Sequence, residues 1–363
     1  MADPTRARLT IDLDALAHNF AVLRAEAPET EAAPVVKSDG YGLGAGPVAR
    51  RLWTEGARAF FVARLDEGEA LRAALGPDRP AAIYVLDGLL TGTAPRFDAG
   101  GLTPVLSTLP QVSAAAAWAA ATGAKQVVLH VDTGMNRQGL TPSETRALAD
   151  APGALRGLDV VLLMSHLGSA AEPEDPRSAR QLEAFEAVRA LFPGARASLA
   201  ASAGVFLGPG YHGDVIRPGV SLYGGGPLER PDGRLKAVAT LTAPIVDIRN
   251  LKPGDRVGYG EAFTAERPTR VAIVAAGYTD GIIRAAKGQA YAWCAGALRR
   301  ILVVTMDLLV VELDDGQAAI GEHVELVGPH ALLDDLAEAA GTVAHEILVR
   351  LSPRAERVYL GER

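Results

Sequence analysis

The sequence is poor in residues that cross-link a chain, ligate a metal or anchor in a membrane. Its 363 residues include one cysteine, Cys294, so no disulfide can close within the chain, and that usage suits a reducing compartment. Cys294 itself reads as a small buried hydrophobe. No cluster of His, Cys, Asp or Glu has ligand spacing, so no metal is expected. The net charge is −7 and no Lys/Arg-rich run occurs, which argues against nucleic acid or an anionic membrane as partner. No apolar stretch is long enough to span a bilayer; the nearest, 301–313, is broken by Asp307. The opening Met1-Ala2-Asp3-Pro4-Thr5-Arg6-Ala7-Arg8 lacks the apolar core of a signal peptide. A cytoplasmic protein is the expectation.

What is present is a globular composition, 48% hydrophobic and 22% charged, in a chain long enough for two domains. The first two thirds alternate apolar runs with segments of helical period. The runs fall at 34–37, 59–63, 82–86, 103–106, 126–132, 158–165, 197–200 and 214–217; helical stretches include 67–75, 110–121, 142–150 and 179–191. Eight near-continuous apolar strands separated by helices are what a (β/α)8 barrel requires, because both strand faces are buried. A doubly wound sheet gives a similar alternation; the count of eight favours the barrel. Polar residues gather at one end of these strands: Lys37, Asp132, Ser165-His166, Ser202 and Arg217. In a barrel that end is the catalytic face. After Gly224-Gly225-Gly226-Pro227 the pattern turns β-rich, with runs at 237–249, 270–277, 289–295, 301–313 and 323–328, then helical stretches at 332–340 and 343–351.

Lys37 ends a short apolar run and opens the loop Ser38-Asp39-Gly40-Tyr41-Gly42-Leu43-Gly44. An amine there is partly desolvated, which lowers its pKa as a Schiff-base lysine needs; the bland alternative is a solvated lysine. Asp132-Thr133-Gly134-Met135-Asn136-Arg137 sets an arginine fork in a turn-rich loop, suited to a carboxylate unless it simply faces water. His166 ends a strand, where a satisfied rim histidine is as good a reading as a catalyst. Arg217-Pro218-Gly219-Val220, with Ser202 before it, offers backbone N–H groups and a hydroxyl where barrels hold phosphate, though a Pro-Gly turn explains it too. Val257-Gly258-Tyr259-Gly260 sets a phenol between glycines, and Thr305-Met306-Asp307 interrupts an apolar run.

Together with Ser202-Ala203-Gly204, Gly277-Tyr278-Thr279-Asp280-Gly281 and Met164-Ser165-His166, these elements follow the order of one family and span nearly the whole chain. The sequence closely resembles the alanine racemases, enzymes that use pyridoxal 5'-phosphate (PLP). The resemblance implies a PLP-binding (β/α)8 TIM barrel over 12–231, and a mostly β domain formed by 1–11 plus 232–363, with the strand at 8–13 pairing in the β domain. It implies that Lys37 carries PLP and acts as one acid/base. Tyr259, reaching in from the partner of a head-to-tail homodimer, is the other. Arg217 would face the pyridine nitrogen and His166 would bridge it to the Tyr259 hydroxyl. Tyr41, Ser202 and the backbone of Gly219 and Val220 would hold the phosphate. Arg137 and the Met306 amide would receive the substrate carboxylate, and Tyr278 would line the entrance.

The chemistry accounts for these residue types. Racemisation removes an α-proton from one face and returns it to the other, so two bases suffice; PLP supplies the electron sink. Free Lys and Tyr titrate near 10.4 and 10, so each base must be lowered by roughly two to three units, about 3–4 kcal/mol. Arginine keeps its proton, so a pyridine nitrogen facing Arg217 stays unprotonated, which weakens the sink and its side reactions; related decarboxylases carry an acid there. Four positions depart from the family pattern: His130 for a carbamylated lysine that orients the arginine, Ala201 for an asparagine, Val303 for an entrance arginine and His345 for a tyrosine. Arg137 is then left to His130 or a bound anion. Competing readings are a racemase of serine or another small amino acid, a PLP carrier with little turnover, a decarboxylase, and a cofactor-free Schiff-base aldolase. The first carrier-like option lacks a use for Tyr259, the decarboxylase lacks its acid, and the aldolase leaves the phosphate cradle idle.

Overall fold

Parallel strands buried on both faces dominate the first half of the chain, and their sequences show why. The computed structural model describes residues 5–260, 262–314, 316–351 and 354–362. After β1 (Arg8–Asp12) come the barrel staves β2 (Glu31–Ala32), β3 (Ala59–Val62), β4 (Ala82–Val85), β5 (Thr103–Leu106), β6 (Lys125–His130), β7 (Leu158–Met164), β8 (Arg196–Ser198) and β9 (Val215–Ile216). Strands β3 to β8 form one parallel sheet in sequence order. β2 pairs parallel with β9, a Val35–Phe61 bridge ties the first stave to β3, and an Ala201–Arg217 bridge ties β8 to β9. The ring is closed, so the barrel forms and the doubly wound sheet does not. Its interior holds Ala33, Phe61, Tyr84, Val105, Val128 and Leu162 among others, packed as one cluster. Phe61 is fully buried there, and truncating such a side chain typically costs about 3–5 kcal/mol.

The remaining strands are β10 (Ala239–Leu251), β11 (Arg256–Val257), β12 (Phe263–Thr264), β13 (Thr269–Val274), β14 (Tyr291–Cys294), β15 (Ala297–Val304), β16 (Leu309–Glu312), β17 (His323–Val327) and β18 (Glu356–Leu360). They run β13-β16-β15-β14-β17-β10, and the long β10 also pairs with β13, which closes six strands into a second, smaller barrel. β1 lies antiparallel to β10 and parallel to β18. The run 301–313, read from sequence as one strand, is two. β15 and β16 are an antiparallel hairpin, reversed at Thr305, whose hydroxyl accepts the Leu308 N–H at 3.2 Å. Closing a barrel of short strands removes the sheet edges that would otherwise invite aggregation.

By contact density the chain divides into two compact units: residues 20–40 with 44–222, and residues 1–19, 41–43 and 223–363. Tyr41, Gly42 and Leu43 therefore group with the β-rich unit. No helix among the described residues is long and apolar enough to cross a membrane.

Candidate active site

In the barrel unit Lys37 stands where the backbone turns left-handed. Ser38, Asp39 and Gly40 have φ of 54°, 54° and 62° with ψ of 46°, 49° and 46°. Left-handed helix costs roughly 1–2 kcal/mol for each L-residue with a side chain, so the turn needs external support. Ser38 N–H donates to Glu67 Oε1 at 2.9 Å, Asp39 Oδ1 accepts the Ala45 N–H at 2.8 Å, and Gly40 N–H closes onto the Val36 carbonyl at 2.9 Å. Glu67 Oε2 also accepts the Ala63 N–H at 2.7 Å. The carboxylate near Lys37 is thus occupied with backbone donors. Burial, and then the charge of Arg137, pull the half-buried Lys37 amine below its ordinary pKa, while Glu67 opposes them.

Arg217 is buried and every acceptor it meets is neutral. Its Nη1 donates to Ser198 Oγ at 2.5 Å; its Nη2 meets the Ser165 carbonyl at 2.6 Å, the Leu199 carbonyl at 3.4 Å and His166 Nδ1 at 3.5 Å. The Ser198 hydroxyl spends its one proton on the Val215 carbonyl at 2.5 Å, so toward Arg217 it can only accept. A guanidinium has five N–H donors and these acceptors number four. At least one donor is left for a ligand. Burial lowers Arg217 to about 10, which still leaves it charged near neutrality.

His166 is pushed down to about 3 by burial first and then by Arg217, Arg137, His130 and Lys37. It is therefore neutral at physiological pH. Its Nδ1 faces an arginine donor, which assigns the ring proton to Nε2. Gln181 holds the residue from behind: its amide nitrogen donates to the His166 carbonyl at 2.9 Å and its oxygen accepts the Gly168 N–H at 2.8 Å. His130 is buried and lowered to about 4, chiefly by burial. Its Nδ1 lies 3.3 Å from Ser107 Oγ; no hydrogen bond between His130 and Arg137 is found among the described residues. Arg137 is exposed and carries no acceptor there either. Asp132 orders its loop by accepting the Gly134, Met135 and Asn136 N–H groups at 2.9, 2.8 and 3.1 Å. Those donors outweigh burial and keep its carboxyl low.

At the segment expected to hold phosphate, Ser202 Oγ accepts the Gly219 N–H at 2.8 Å and the Ser221 N–H at 3.3 Å. Val220 lies between them and is buried. The Ser221 hydroxyl is buried without a hydrogen-bond partner, a costly state unless a ligand supplies one. That orphan hydroxyl, the spare Arg217 donor and the lowered amine fit a phosphorylated pyridine aldehyde. Sequence reasoning missed Ser198, Ser221 and Gln181. None belongs to a distinctive motif, and serine and glutamine are usually unremarkable.

In the β-rich unit Tyr41 is buried, its ring 4.7 Å from that of Tyr223 and 5.9 Å from His345, and burial pushes its phenol up. The other expected residues are exposed: Tyr259 by 85%, Met306 by 52% and Tyr278 by 42%. Tyr259 tops the tip between β11 and β12, flanked by Gly258 and Gly260 at φ 82° and 60°; a Cβ on Gly258 would sit 2.9 Å from Val303. Tyr259, Tyr278, Met306, Val303, Arg284 and Lys287 share the wall of a cavity of about 620 Å³. With Val303 in that wall, the basic lining comes from Arg284 and Lys287 instead.

The chain is similar to known proteins along its length. Residues 11–227 match the family described as alanine racemase, N-terminal domain, and residues 238–359 match alanine racemase, C-terminal domain. An alanine racemase of Methylobacterium sp. (strain 4-46) is 43% identical over 98% of each chain. Two proteins of Agrobacterium fabrum, one named catabolic and one biosynthetic alanine racemase, are each 40% identical over 97% of this chain and 92% and 93% of theirs. The crystal structure of a Bartonella henselae alanine racemase with covalently bound pyridoxal phosphate superposes with a TM-score of 0.92 at 31% identity, covering 98% of this chain and 99% of that one. With both halves matched and full-length relatives above 40% identity, this chain belongs to the alanine racemase family.

Proposed function

We propose that the chain interconverts L- and D-alanine with Lys37 and Tyr259 as acid/base groups on opposite faces of the substrate, and that it works as a homodimer in which Tyr259 serves the partner's site. The observation that carries this is a contrast: a half-buried amine of lowered pKa in the barrel, and a phenol 85% exposed on a glycine-flanked tip. Pyridoxal phosphate, when bound, supplies the electron sink that makes the α-hydrogen of alanine acidic enough to move. Lys37 would hold it covalently, Arg217 would face its ring nitrogen, and Ser202, Tyr41 and the Gly219 and Val220 amides would hold its phosphate, with Ser221 as a further donor.

Arg137 has its whole fork available, and with the Met306 amide it would receive the substrate carboxylate; Tyr278 lines the way in. The Lys37 amine, lowered toward neutrality, accepts the α-proton of D-alanine, and Tyr259 accepts that of L-alanine. Neutral His166 carries its proton on Nε2 and so offers a donor that stabilises the Tyr259 oxyanion. Arg217, donating toward Nδ1, fixes that tautomer. The single cysteine suits a cytoplasmic location.

The test mixes two inactive variants, Lys37→Ala and Tyr259→Phe, under conditions that exchange subunits. A hybrid dimer then contains one site with both native groups. Recovery of up to about a quarter of wild-type racemisation is expected from random pairing: half the dimers are hybrids, each with one of two sites intact. No recovery despite proven exchange would refute the shared site.

A further inference from the structure

Two of the matched segments carry acids that proton transfer and cofactor binding do not use, Asp280 and Asp307. Both meet Arg354. Its Nε and Nη2 donate to Asp280 Oδ1 and Oδ2 at 2.8 and 2.7 Å, and its Nη1 donates to Asp307 Oδ1 at 2.8 Å. Asp280 is almost fully buried, and its Oδ2 also accepts the Gly277 N–H at 2.9 Å. The segments that bear these acids are joined directly as well. Tyr278 N–H donates to the Thr305 carbonyl at 3.0 Å, and the Met306 carbonyl accepts the Thr279 N–H at 3.2 Å and its hydroxyl at 2.7 Å. They lie so close that a Cβ on Gly277 would sit 2.3 Å from the Met306 carbonyl oxygen. Tyr278 and Met306 both line the 620 Å³ cavity.

We propose that Arg354 is a positioning residue for substrate binding, a buckle that locks the Tyr278 turn onto the Met306 loop and so fixes the Met306 amide where a carboxylate is received. This rests on the reading of Met306 given above. The physical case is one of geometry more than energy. A guanidinium fork matches Asp280 with two parallel bonds and keeps a third direction for Asp307. A lysine has three donors on one nitrogen and cannot keep the parallel pair to Asp280 while also reaching Asp307 in this geometry. Arg354 is half exposed while Asp280 is almost fully buried, so removing the arginine also leaves a buried carboxylate short of donors and lowers stability. The Thr305–Leu308 bonds close the hairpin without it. Losing the buckle therefore keeps the hairpin closed, at a cost in stability, and loosens the angle between the two loops, so KM and not melting temperature is the deciding readout.

The experiment uses the holoenzyme with Arg354→Ala and Arg354→Lys, measuring KM and kcat for both enantiomers alongside thermal melting. Loss of binding common to ground and transition state raises KM about tenfold in Arg354→Ala and a few-fold in Arg354→Lys, with kcat within about twofold. A lowered melting temperature with unchanged KM overturns the proposal, because it describes a structural role alone. If Arg354→Ala does not fold, Asp307→Asn at the exposed end of the buckle should raise KM about threefold at wild-type melting temperature; unchanged KM overturns it equally. Propionate, an unreactive carboxylate of alanine's size, separates the two layers of the claim through the Met306 amide nitrogen chemical shift. No shift in the wild type withdraws the carboxylate reading and the proposal with it. A shift there that is undiminished in Arg354→Ala overturns the proposal alone.

Discussion

The two units prepare their chemistry in opposite ways. In the barrel, Arg217 and Ser202 are buried, His166 is half-buried, and all three are tied to their own chain by hydrogen bonds within 3.5 Å. In the β-rich unit, Tyr259, Met306 and Tyr278 are 85%, 52% and 42% exposed. The first set is fixed by bonds within its own unit. The second set lies open at the surface of its unit. A cofactor that stays bound profits from a rigid seat, because ordering is completed during folding. On the proposed reading, a base that serves a partner's site has to remain exposed until that partner covers it.

The sharpest way to break this comparison is Tyr259→Phe. It should cut removal of the α-proton from L-alanine by about a hundredfold or more, measured as solvent deuterium exchange, while cofactor binding and melting temperature stay near wild type. A comparable loss of cofactor affinity would mean that Tyr259 belongs to the seat and not to the exposed set. Ser202→Ala should do the reverse. Cofactor affinity should fall about tenfold, the worth of a charge-assisted hydrogen bond, read by titrating the apo protein, with the ratio of forward to reverse turnover unchanged.

The smallest effect is on acid stability, where the units should differ in sign. His166 and His130 have folded pKa values of about 3 and 4, against about 6.5 in an unfolded chain. Between those limits the unfolded chain binds protons that the folded barrel does not, so the barrel loses stability as pH falls from about 6.5 toward 4. The limit is about 1.4 kcal/mol per pH unit for each fully buried histidine, and less for half-buried His166. In the β-rich unit burial raises Asp334 to about 6, against the help of the Gly226 N–H at 2.9 Å. Its folded form binds a proton between about 3.8 and 6 where the unfolded chain does not, so that unit gains over the same span. Hydrogen exchange measured unit by unit against pH checks this. Parallel curves, or an unchanged barrel slope in His130→Gln, would count against it.

How much of this was legible in the sequence depended on how each feature announces itself. The barrel staves read clearly because burial on both faces demands apolar runs, and Phe60-Phe61-Val62 supplies one. Lys37 and Arg217 stood out because each ends an apolar run and opens a turn that holds glycine, and Tyr259 because it stands between two glycines. The β15–β16 hairpin was hidden because residues 301–313 contain no glycine or proline to mark the reversal; the Thr305 hydroxyl makes the turn. The left-handed geometry of Ser38 and Asp39 was equally hidden, since neither residue requires positive φ. Ser198 and Arg354 escaped for another reason. Their importance lies in what they touch across 19, 74 and 47 residues of chain, and no local pattern encodes that.

The turn after Lys37 has one more consequence. Two of its non-glycine residues, Ser38 and Asp39, wind in the sense natural to the mirror-image amino acids, and Tyr41 follows with φ 56°. At roughly 1–2 kcal/mol each, they withhold a sizeable part of the 5–15 kcal/mol margin on which a typical folded protein rests. A chemically synthesised chain with D-serine and D-aspartate at those two places would release that tension without moving a backbone atom. It would ask whether the amine at the turn's start depends on being held under load.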